Sequence, residues 1–515
     1  MAPGITFFIS FLMACSPKTG IQKLPVNSSM VSVATLQPVI KGLGTNPLLQ
    51  IRIYIPEGNK DITFRTMSGT LSEAALRNVE NLELFYTGSE PQFSSKVAAT
   101  SIAPTSRNFE LPVAKTLSAG VNYLWLSAKL KDNADIDDII EIHATALTDG
   151  SGKQYGLTEN NAHFKKRIGV AVRTAWQDSV HTYRIPGIIT TDLNTLIAVY
   201  DIRYKNSGDL PGNIDVGMSR SKDGGKTWEP MKIIMDMGTP HENNGVGDPS
   251  VLFDPVTKKI WVAALWSKGN RSIAGSKPGM SPDETGQFVV VSSGDDGKTW
   301  SAPVSITPQV KDPAWKLFFP GPGNGIAMQD GKLVFPAQYW DADHMPHSNL
   351  IFSADHGLTW KRGSGAKSNT TESQLVETTT GTIMLNMRDN RGGFRTIATT
   401  RNLGSSWTEH STSYQALPDP VCMASFIKAD VNYKGRNKEL LFFSNMASQN
   451  ERHHLTIKAS PDLGESWLPG GLMIDERRSF GYSAMTRIDA NTIGLLYEGI
   501  RDLYFVRVPV SDITR

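Results

Sequence analysis

From about Pro25 to Gly152 the chain alternates apolar and polar residues in short runs: Leu49-Gln-Ile-Arg-Ile-Tyr-Ile55, Leu82-Glu-Leu-Phe-Tyr86, Val121-Asn-Tyr-Leu-Trp-Leu-Ser-Ala128 and Ile140-Glu-Ile-His-Ala144. A period of two broken by clusters of Gly, Pro, Asn and Ser predicts half-buried strands, most simply a β-sandwich. Trp125 and several tyrosines lie in these runs, where glycan stacking competes with filling of the sandwich core; core filling is the simpler expectation. Gly150 to Asn161 reads as a linker. Beyond about His163 the runs become more continuously apolar, at Ile188 to Tyr200, Ile260 to Trp266, Leu440 to Phe443 and Thr492 to Tyr497. These predict buried strands.

Between the apolar runs one octapeptide returns. Ser221-Lys-Asp-Gly-Gly-Lys-Thr-Trp228, Ser293 to Trp300, Ser353 to Trp360 and Ser460 to Trp467 share the frame S-x-D-x-G-x-[TS]-W, and Thr400 to Trp407 is a worn copy with Asn402 in the acidic place. Such a frame suits a hairpin corner, in which Asp caps turn amides, Gly supplies a positive φ and Trp plugs the turn into the sheet beneath. Copies 47 to 72 residues apart, with β-rich sequence between them, point to a propeller. The roughly 350 residues after His163 suffice for about six four-stranded blades. A propeller gathers the inner strands around one axis, so functional residues distant in sequence can meet there.

Length and composition narrow the function classes. A chain of 515 residues with 39% hydrophobic and 20% charged residues is ordinary globular material for two or three domains. The formal charge of +2 gives no reason to expect nucleic acid or an anionic membrane as partner. Cys15 and Cys422 are the two cysteines; they form no disulfide framework or zinc spacing, and Cys422 reads as a small buried hydrophobe. No His/Asp/Glu spacing matches a metal-ligand set, and His344, His347, His453 and His454 read as surface residues. At the N-terminus, Ile5 to Ala14 is an apolar run too short to span a bilayer. Residues 1–14 are therefore read as an export signal, and Leu12-Met-Ala-Cys15 resembles a bacterial lipobox. That makes Cys15 the expected lipidation site of a periplasmic, outer-membrane or cell-surface lipoprotein, with plain secretion as the alternative.

The octapeptides resemble the Asp boxes of the sialidase superfamily, and further motifs follow in that family's order. They are Arg184-Ile-Pro186, an aspartate loop around Asp209, the first Asp box, Asp248-Pro249, Glu372-Ser-Gln374, Asn386-Met-Arg388, Tyr482-Ser483 and Leu495-Leu-Tyr-Glu-Gly499. The resemblance implies an all-β protein, a six-bladed β-propeller over 163–515 preceded by a β-sandwich domain over 25–152. It also implies a retaining exo-sialidase acting on terminal α-linked sialic acid of glycoproteins, glycolipids or oligosaccharides, with no cofactor and no metal. The Asp boxes are expected to be structural. An intramolecular trans-sialidase, a trans-sialidase and a non-catalytic glycan-binding propeller are the alternatives.

Site residues follow from the same resemblance. Arg184, Arg388 and Arg452 would clamp the sugar's carboxylate, a task for which permanently charged, forked guanidiniums are suited; Arg391 and Arg395 compete with Arg388 for the second place. Tyr482 would be the nucleophile and Glu372 its base, with Glu377 as a competitor that should face the other side of its strand. A neutral phenol can approach an anomeric carbon that bears a carboxylate, whereas a carboxylate nucleophile meets like charge; a phenol near pKa 10 then needs a base. Asp209, on a Gly- and Pro-containing loop, would be the general acid. Asp215 is assigned to a strand and Asp201 to the wall. Glu498 would hold Arg184, Arg203 would reach the 4-hydroxyl and Asp248 would accept the N-acetyl N–H. Trp266 is either acetyl-pocket wall or core.

Overall fold

The computed structural model describes residues 30–515 except 59, 97, 158–162 and 270. The export segment and Cys15 lie outside the described residues.

The alternating runs form two sheets. One has the spatial order Met30–Ala34, Asn46–Ile55, Gly120–Leu130, Val79–Gly88, Ala98–Ile102; the other contains Ile139–Asp149, Ile62–Leu71 and Asn108–Leu117. Leu49, Ile51 and Ile53 of the first and Phe64, Ile140 and Ile142 of the second share one buried core, as period-two patterning requires of a sandwich. Trp125 differs from the expectation: its neighbours Leu124 and Leu126 enter that core, so parity puts Trp125 on the outer face. There Phe93 packs edge-on against it at 5.7 Å and leaves it buried, with no open face for a sugar.

The linker expectation also needs correcting. Gln154–Gly156 is a strand paired with Ile139–Asp149, held by the turn at Asp149 to Lys153, so part of the Gly150 to Asn161 stretch belongs to the sandwich. His163–Arg173 then serves both halves of the protein. Its first five residues pair with Ile139 to His143 of the sandwich, and Val170, Ala171 and Arg173 pair with Leu503–Pro509 of the last propeller sheet.

Six four-stranded units follow in sequence, each a run of antiparallel neighbours, the sixth continuous with the second sandwich sheet. We number them blades 1 to 6, with first strands Thr182–Thr190, Asn244–Phe253, Leu317–Pro320, Thr370–Thr379, Ser425–Tyr433 and Ser483–Asp489. The first strand of blade 6 lies beside that of blade 1, and His163–Arg173 supplies the fourth strand of blade 6. The continuous reading of Ile188 to Tyr200 is corrected to a hairpin: Thr182–Thr190 and Leu196–Arg203 flank a turn closed by Thr191 N–H donating to the Thr195 carbonyl. Asp192 and Asn194, with Asn194 at φ 58°, supply its turn chemistry.

The repeated corners behave as their frame suggests. In all four full copies the Ser hydroxyl accepts the Gly N–H at 2.8–2.9 Å, and the Asp carboxylate accepts the Thr or Ser N–H four residues on at 2.8–2.9 Å. The worn copy keeps the turn, because the Asn402 amide oxygen accepts the Ser406 N–H at 3.0 Å and its NH2 donates to the Ser406 hydroxyl. Trp228, Trp300, Trp360, Trp407 and Trp467 each pack against a blade core.

Candidate active site

Antiparallel alternation fixes which residues can meet. The starts of the first strands and the ends of the second strands lie at one end of the ring, while the corners after the third strands lie at the other. Arg184 is the third residue of its first strand, Glu372 the third of its own, and Tyr482 directly precedes Ser483–Asp489. Arg203 ends the second strand of blade 1, Arg388 is penultimate in Thr382–Asp389, and Glu498 ends Thr492–Glu498. Asp209 and Arg452 sit on loops leaving second strands, and Asp248 is the fifth residue of Asn244–Phe253. Every expected site residue except Cys15 therefore falls at the end away from the Asp boxes.

The Tyr482 hydroxyl donates to Glu372 Oε1, and Arg388 Nη1 donates to Glu372 Oε2 at 2.6 Å and to the Tyr482 oxygen at 3.1 Å. Burial, then the Glu372 charge, push the Tyr482 hydroxyl well above its ordinary value, against Arg388 and Arg452, which pull it down. At rest Tyr482 is therefore a neutral phenol with a proton acceptor already in place. The three clamp candidates gather around the Phe480 to Tyr482 turn. The Arg184 guanidinium lies 4.1 Å from the Phe480 ring centre and 5.2 Å from that of Tyr482. Arg452 donates to the carbonyls of Phe480 and Val421, both at 2.9 Å.

Glu498 braces this arrangement from beneath. Its Oε1 accepts Arg184 Nε at 3.0 Å and the Ile185 N–H at 2.9 Å, and its Oε2 accepts the Tyr482 N–H at 2.9 Å. Ile185 and Val421 are the β-branched residues with positive φ among the described residues, at 56° and 59°. A β-branched side chain resists that conformation at about 1–3 kcal/mol, and both positions are held by bonds to or from site residues. The fully buried Cys422 thiol lies against Ile185 and Tyr482, and burial pushes it up to about 11.

Asp209 stands on the open side, its side chain 68% exposed, and accepts Arg203 Nη1 at 2.7 Å and Arg184 Nη1 at 3.2 Å. Partial burial pushes this carboxyl up, but Arg203, then Arg184 and Arg388, outweigh it and hold it below the ordinary range. Asp201, the wall residue, is bound by Arg203 through Nε and Nη2 and accepts the Asp248 N–H at 2.9 Å. Burial, reinforced by the charges of Asp201, Asp209 and Glu372, raises Asp248 well above the usual carboxylate range, so it can donate as well as accept.

The competitors lie elsewhere. Glu377 caps the backbone N–H groups of Gln329 and Gly381 on the far side of its strand. Arg391 pairs with Asp389, and Arg395 is buried on Asn386 and the Cys422 carbonyl. Asp215 is in the strand Ile214–Ser221, accepting the Tyr204 hydroxyl. Trp266 packs into the blade 1 and blade 2 core. His344 is exposed, whereas His347 departs from the surface expectation, half-buried between Asp341 and the stacked Tyr339 ring. Phe480, Val421 and Cys422 had no sequence signal beyond proximity to recognised motifs.

Residues 195–495 match the BNR repeat-like domain family, and residues 28–153 match the N-terminal domain of BNR-repeat neuraminidase. The chain belongs to the BNR-repeat neuraminidases. A sialidase of Bacteroides fragilis is 44% identical over 409 residues, covering 78% of this chain and 75% of that one. A sialidase of Micromonospora viridifaciens is 34% identical over 331 residues, 62% of this chain and 50% of its own length. Among solved structures, the Hadza microbial sialidase Hz136 superposes with a TM-score of 0.88 at 39% identity over 94% of this chain and 99% of that one. The correspondence thus includes both the sandwich and the propeller of this neuraminidase chain.

Proposed function

We propose that the protein is an exo-α-sialidase that releases terminal α-linked sialic acid from glycoconjugates with retention, through a tyrosyl-enzyme intermediate. The observation that carries this reading is the neutral Tyr482 phenol hydrogen-bonded to the Glu372 carboxylate, with Arg388 donating to both. Arg184, Arg388 and Arg452 bind the substrate carboxylate and turn the anomeric carbon toward Tyr482. Arg203 binds the 4-hydroxyl, and Asp248 binds the N-acetyl amide.

In the first step the Tyr482 oxygen bonds to the anomeric carbon as Glu372 takes the phenolic proton, and the glycosidic C–O bond breaks as Asp209 protonates the leaving oxygen. Arg388 and Arg452 stabilise charge developing on the phenolic oxygen. In the second step the Asp209 carboxylate takes a proton from water, water oxygen bonds to the anomeric carbon on the face the leaving group left, and the bond from that carbon to the Tyr482 oxygen breaks as Glu372 returns its proton to Tyr482. Tyrosine nucleophiles are a known exception to two-carboxylate glycoside hydrolysis. Substrate tunes the acid: a bound carboxylate offsets the guanidiniums that depress Asp209, so its proton affinity rises when the acid is needed.

Turnover of a chromogenic α-sialoside with product identification tests the reading. Free sialic acid of retained configuration supports it, an anhydro sugar redirects it to the intramolecular transferase, and no turnover with sialoside binding contradicts catalysis. A division into sandwich and propeller, with the sandwich extended to Gly156 and His163–Arg173 shared, export through residues 1–14 and acylation at Cys15 are proposed with it; metabolic labelling with a fatty acid, lost in Cys15→Ser, tests the last.

A further inference from the structure

The reacting groups sit on different blades, and blades share little backbone pairing, such as the two-residue ladder between Gly323–Asn324 and blade 2. Within a blade the ladder fixes register, but between blades contact is mainly side-chain packing, which leaves the offset along the strand direction weakly set. Glu372 is on blade 4 and Tyr482 on blade 6, with blade 5 between them. A displacement of about 1 Å between such groups can cost about a hundredfold in rate, so something must fix the offset across the ring.

The run Pro320-Gly-Pro-Gly-Asn-Gly325 occupies the position to do so. Here the inner edge of blade 3 bulges between Leu317–Pro320 and Ile326–Ala327, which both pair with Leu333–Trp340, and Gly323–Asn324 pairs in parallel with Ser250 and Val251 of blade 2. Asn324 is buried. Its amide oxygen accepts the Ile188 N–H of blade 1 at 3.0 Å, its NH2 donates to the Met485 carbonyl of blade 6 at 2.9 Å, and its backbone N–H donates to Gln374 Oε1 of blade 4 at 3.2 Å. Gln374 Nε2 returns a bond to the Pro322 carbonyl at 2.8 Å. With one donor and one acceptor matched to opposite backbone partners, the orientation of the amide is dictated.

The partners are the strands of the site. Ile188 lies four residues beyond Arg184, Met485 three beyond Tyr482, Gln374 two beyond Glu372 and Ser250 two beyond Asp248; at about 3.3 Å per residue the junction lies roughly 7–13 Å beneath the chemistry. The glycines permit the approach: a Cβ on Gly187 would lie 2.5 Å from the Gly323 carbonyl oxygen, and Gly323 has φ 108°. Other bonds join blades 1 and 6, from the Ile185 N–H to Glu498 Oε1 and between the hydroxyls of Thr190 and Thr486. Side-chain bonds also run from blade 6 through blade 5 to blade 4, as from the Met485 N–H to Ser425 Oγ and from Lys428 to the Thr378 carbonyl; Asn324 and Gln374 add a direct path that ties blades 1 and 6 to blade 4. We infer that Asn324 is a positioning residue that sets the height of the Tyr482 and Arg184 strands relative to the Glu372 strand.

This inference rests on the sialidase reading for its kinetic test and on geometry alone for its structural one. Asn324→Leu, similar in size and without hydrogen-bonding atoms, should lower kcat about tenfold to a hundredfold with KM within about twofold. A crystal structure of the variant should show the Tyr482 to Glu372 hydrogen bond lengthened or broken. Val431→Ala, a buried cavity mutant of blade 5, should lower Tm comparably and leave kcat unchanged, which separates positioning from stability. If Asn324→Leu does not fold, Asn324→Asp keeps the acceptor for Ile188 but opposes a carboxylate to the Met485 carbonyl. Its kcat relative to wild type should rise as pH falls and the carboxyl regains a proton to donate. A folded Asn324→Leu with wild-type kcat and an unchanged Tyr482 to Glu372 contact, or a pH-independent Asn324→Asp ratio, overturns the inference. An inert wild-type protein would instead overturn the sialidase reading, and the crystallographic contact would still decide the role of Asn324.

Discussion

The two ends of the propeller use aspartate in opposite ways. At the Asp-box end, Asp295 is satisfied within its own octapeptide, accepting from Ser293, the Thr299 N–H and the Thr299 hydroxyl. At the other end, Asp209 is held by arginines that belong to the binding machinery, Arg184 and Arg203, and its side chain is largely open. The same contrast holds for tryptophan against tyrosine: the corner indoles pack as plugs against the blades, Trp360 buried and the other four half-buried, while Tyr482 is oriented by a carboxylate and a guanidinium from another blade. A polar group satisfied within its own octapeptide stabilises a turn, whereas one held by residues from other strands, of its own blade for Asp209 and of another for Tyr482, can exchange its partners for substrate.

That contrast breaks first, and most severely, at Tyr482. Tyr482→Phe removes one oxygen at the cross-blade end and should lower kcat by about a thousandfold or more while the thermal transition stays within a few degrees; calorimetry beside initial rates checks both. Asp209→Asn comes next, with a loss of about a hundredfold or more on substrates with poor leaving groups and a much smaller loss on an activated aryl sialoside. In the wild-type enzyme the basic limb of kcat should lie at higher pH than that of kcat/KM, because the arginines depress Asp209 in the free enzyme and the bound carboxylate relieves that depression.

Arg184→Ala should cost about tenfold to a hundredfold in kcat/KM, much of it in KM, since an unpaired substrate carboxylate loses a charged hydrogen bond. The smallest effect belongs to the corners. Asp295→Asn should leave kcat and KM unchanged and cost about 1 kcal/mol or less, because the carboxylate it replaces is solvated. Bonds from Thr299 hold Asp295 at about 2 in the folded protein, below an unfolded value near 3.9. Its contribution is therefore complete above about pH 4 and disappears as pH falls through about 2; the variant should flatten that stretch of the stability profile.

The same division explains what could be read from the chain. The corners were legible because all their interactions fall within eight residues and recur, and even Asn402 could be recognised as a copy. The strands of the sandwich are legible from alternation, but alternation cannot say which face a loop will cover, so it points Trp125 to the core although Phe93 closes over it on the outside. The hairpin at Thr191 to Thr195 was hidden because apolar runs on both sides of a short turn merge in sequence. Arg184, Arg388, Tyr482 and Glu372 were legible only through family motifs, since neither periodicity nor composition brings three blades together. Gln374 stood within the Glu372-Ser-Gln374 motif without a role, and Asn324 had only the surrounding glycine run to mark it. Their partners are backbone groups, which leave no trace in side-chain chemistry.

The most direct test of the account is to label the enzyme with a 3-fluorinated sialosyl fluoride, whose good leaving group permits glycosylation while the fluorine at C3 slows release, and to map the adduct by mass spectrometry. The account predicts a sialosyl adduct on the tryptic peptide Ser479 to Arg487, localised to Tyr482. An adduct on Glu372 or Asp209, or turnover of ordinary sialosides with no covalent species on that peptide, would contradict it.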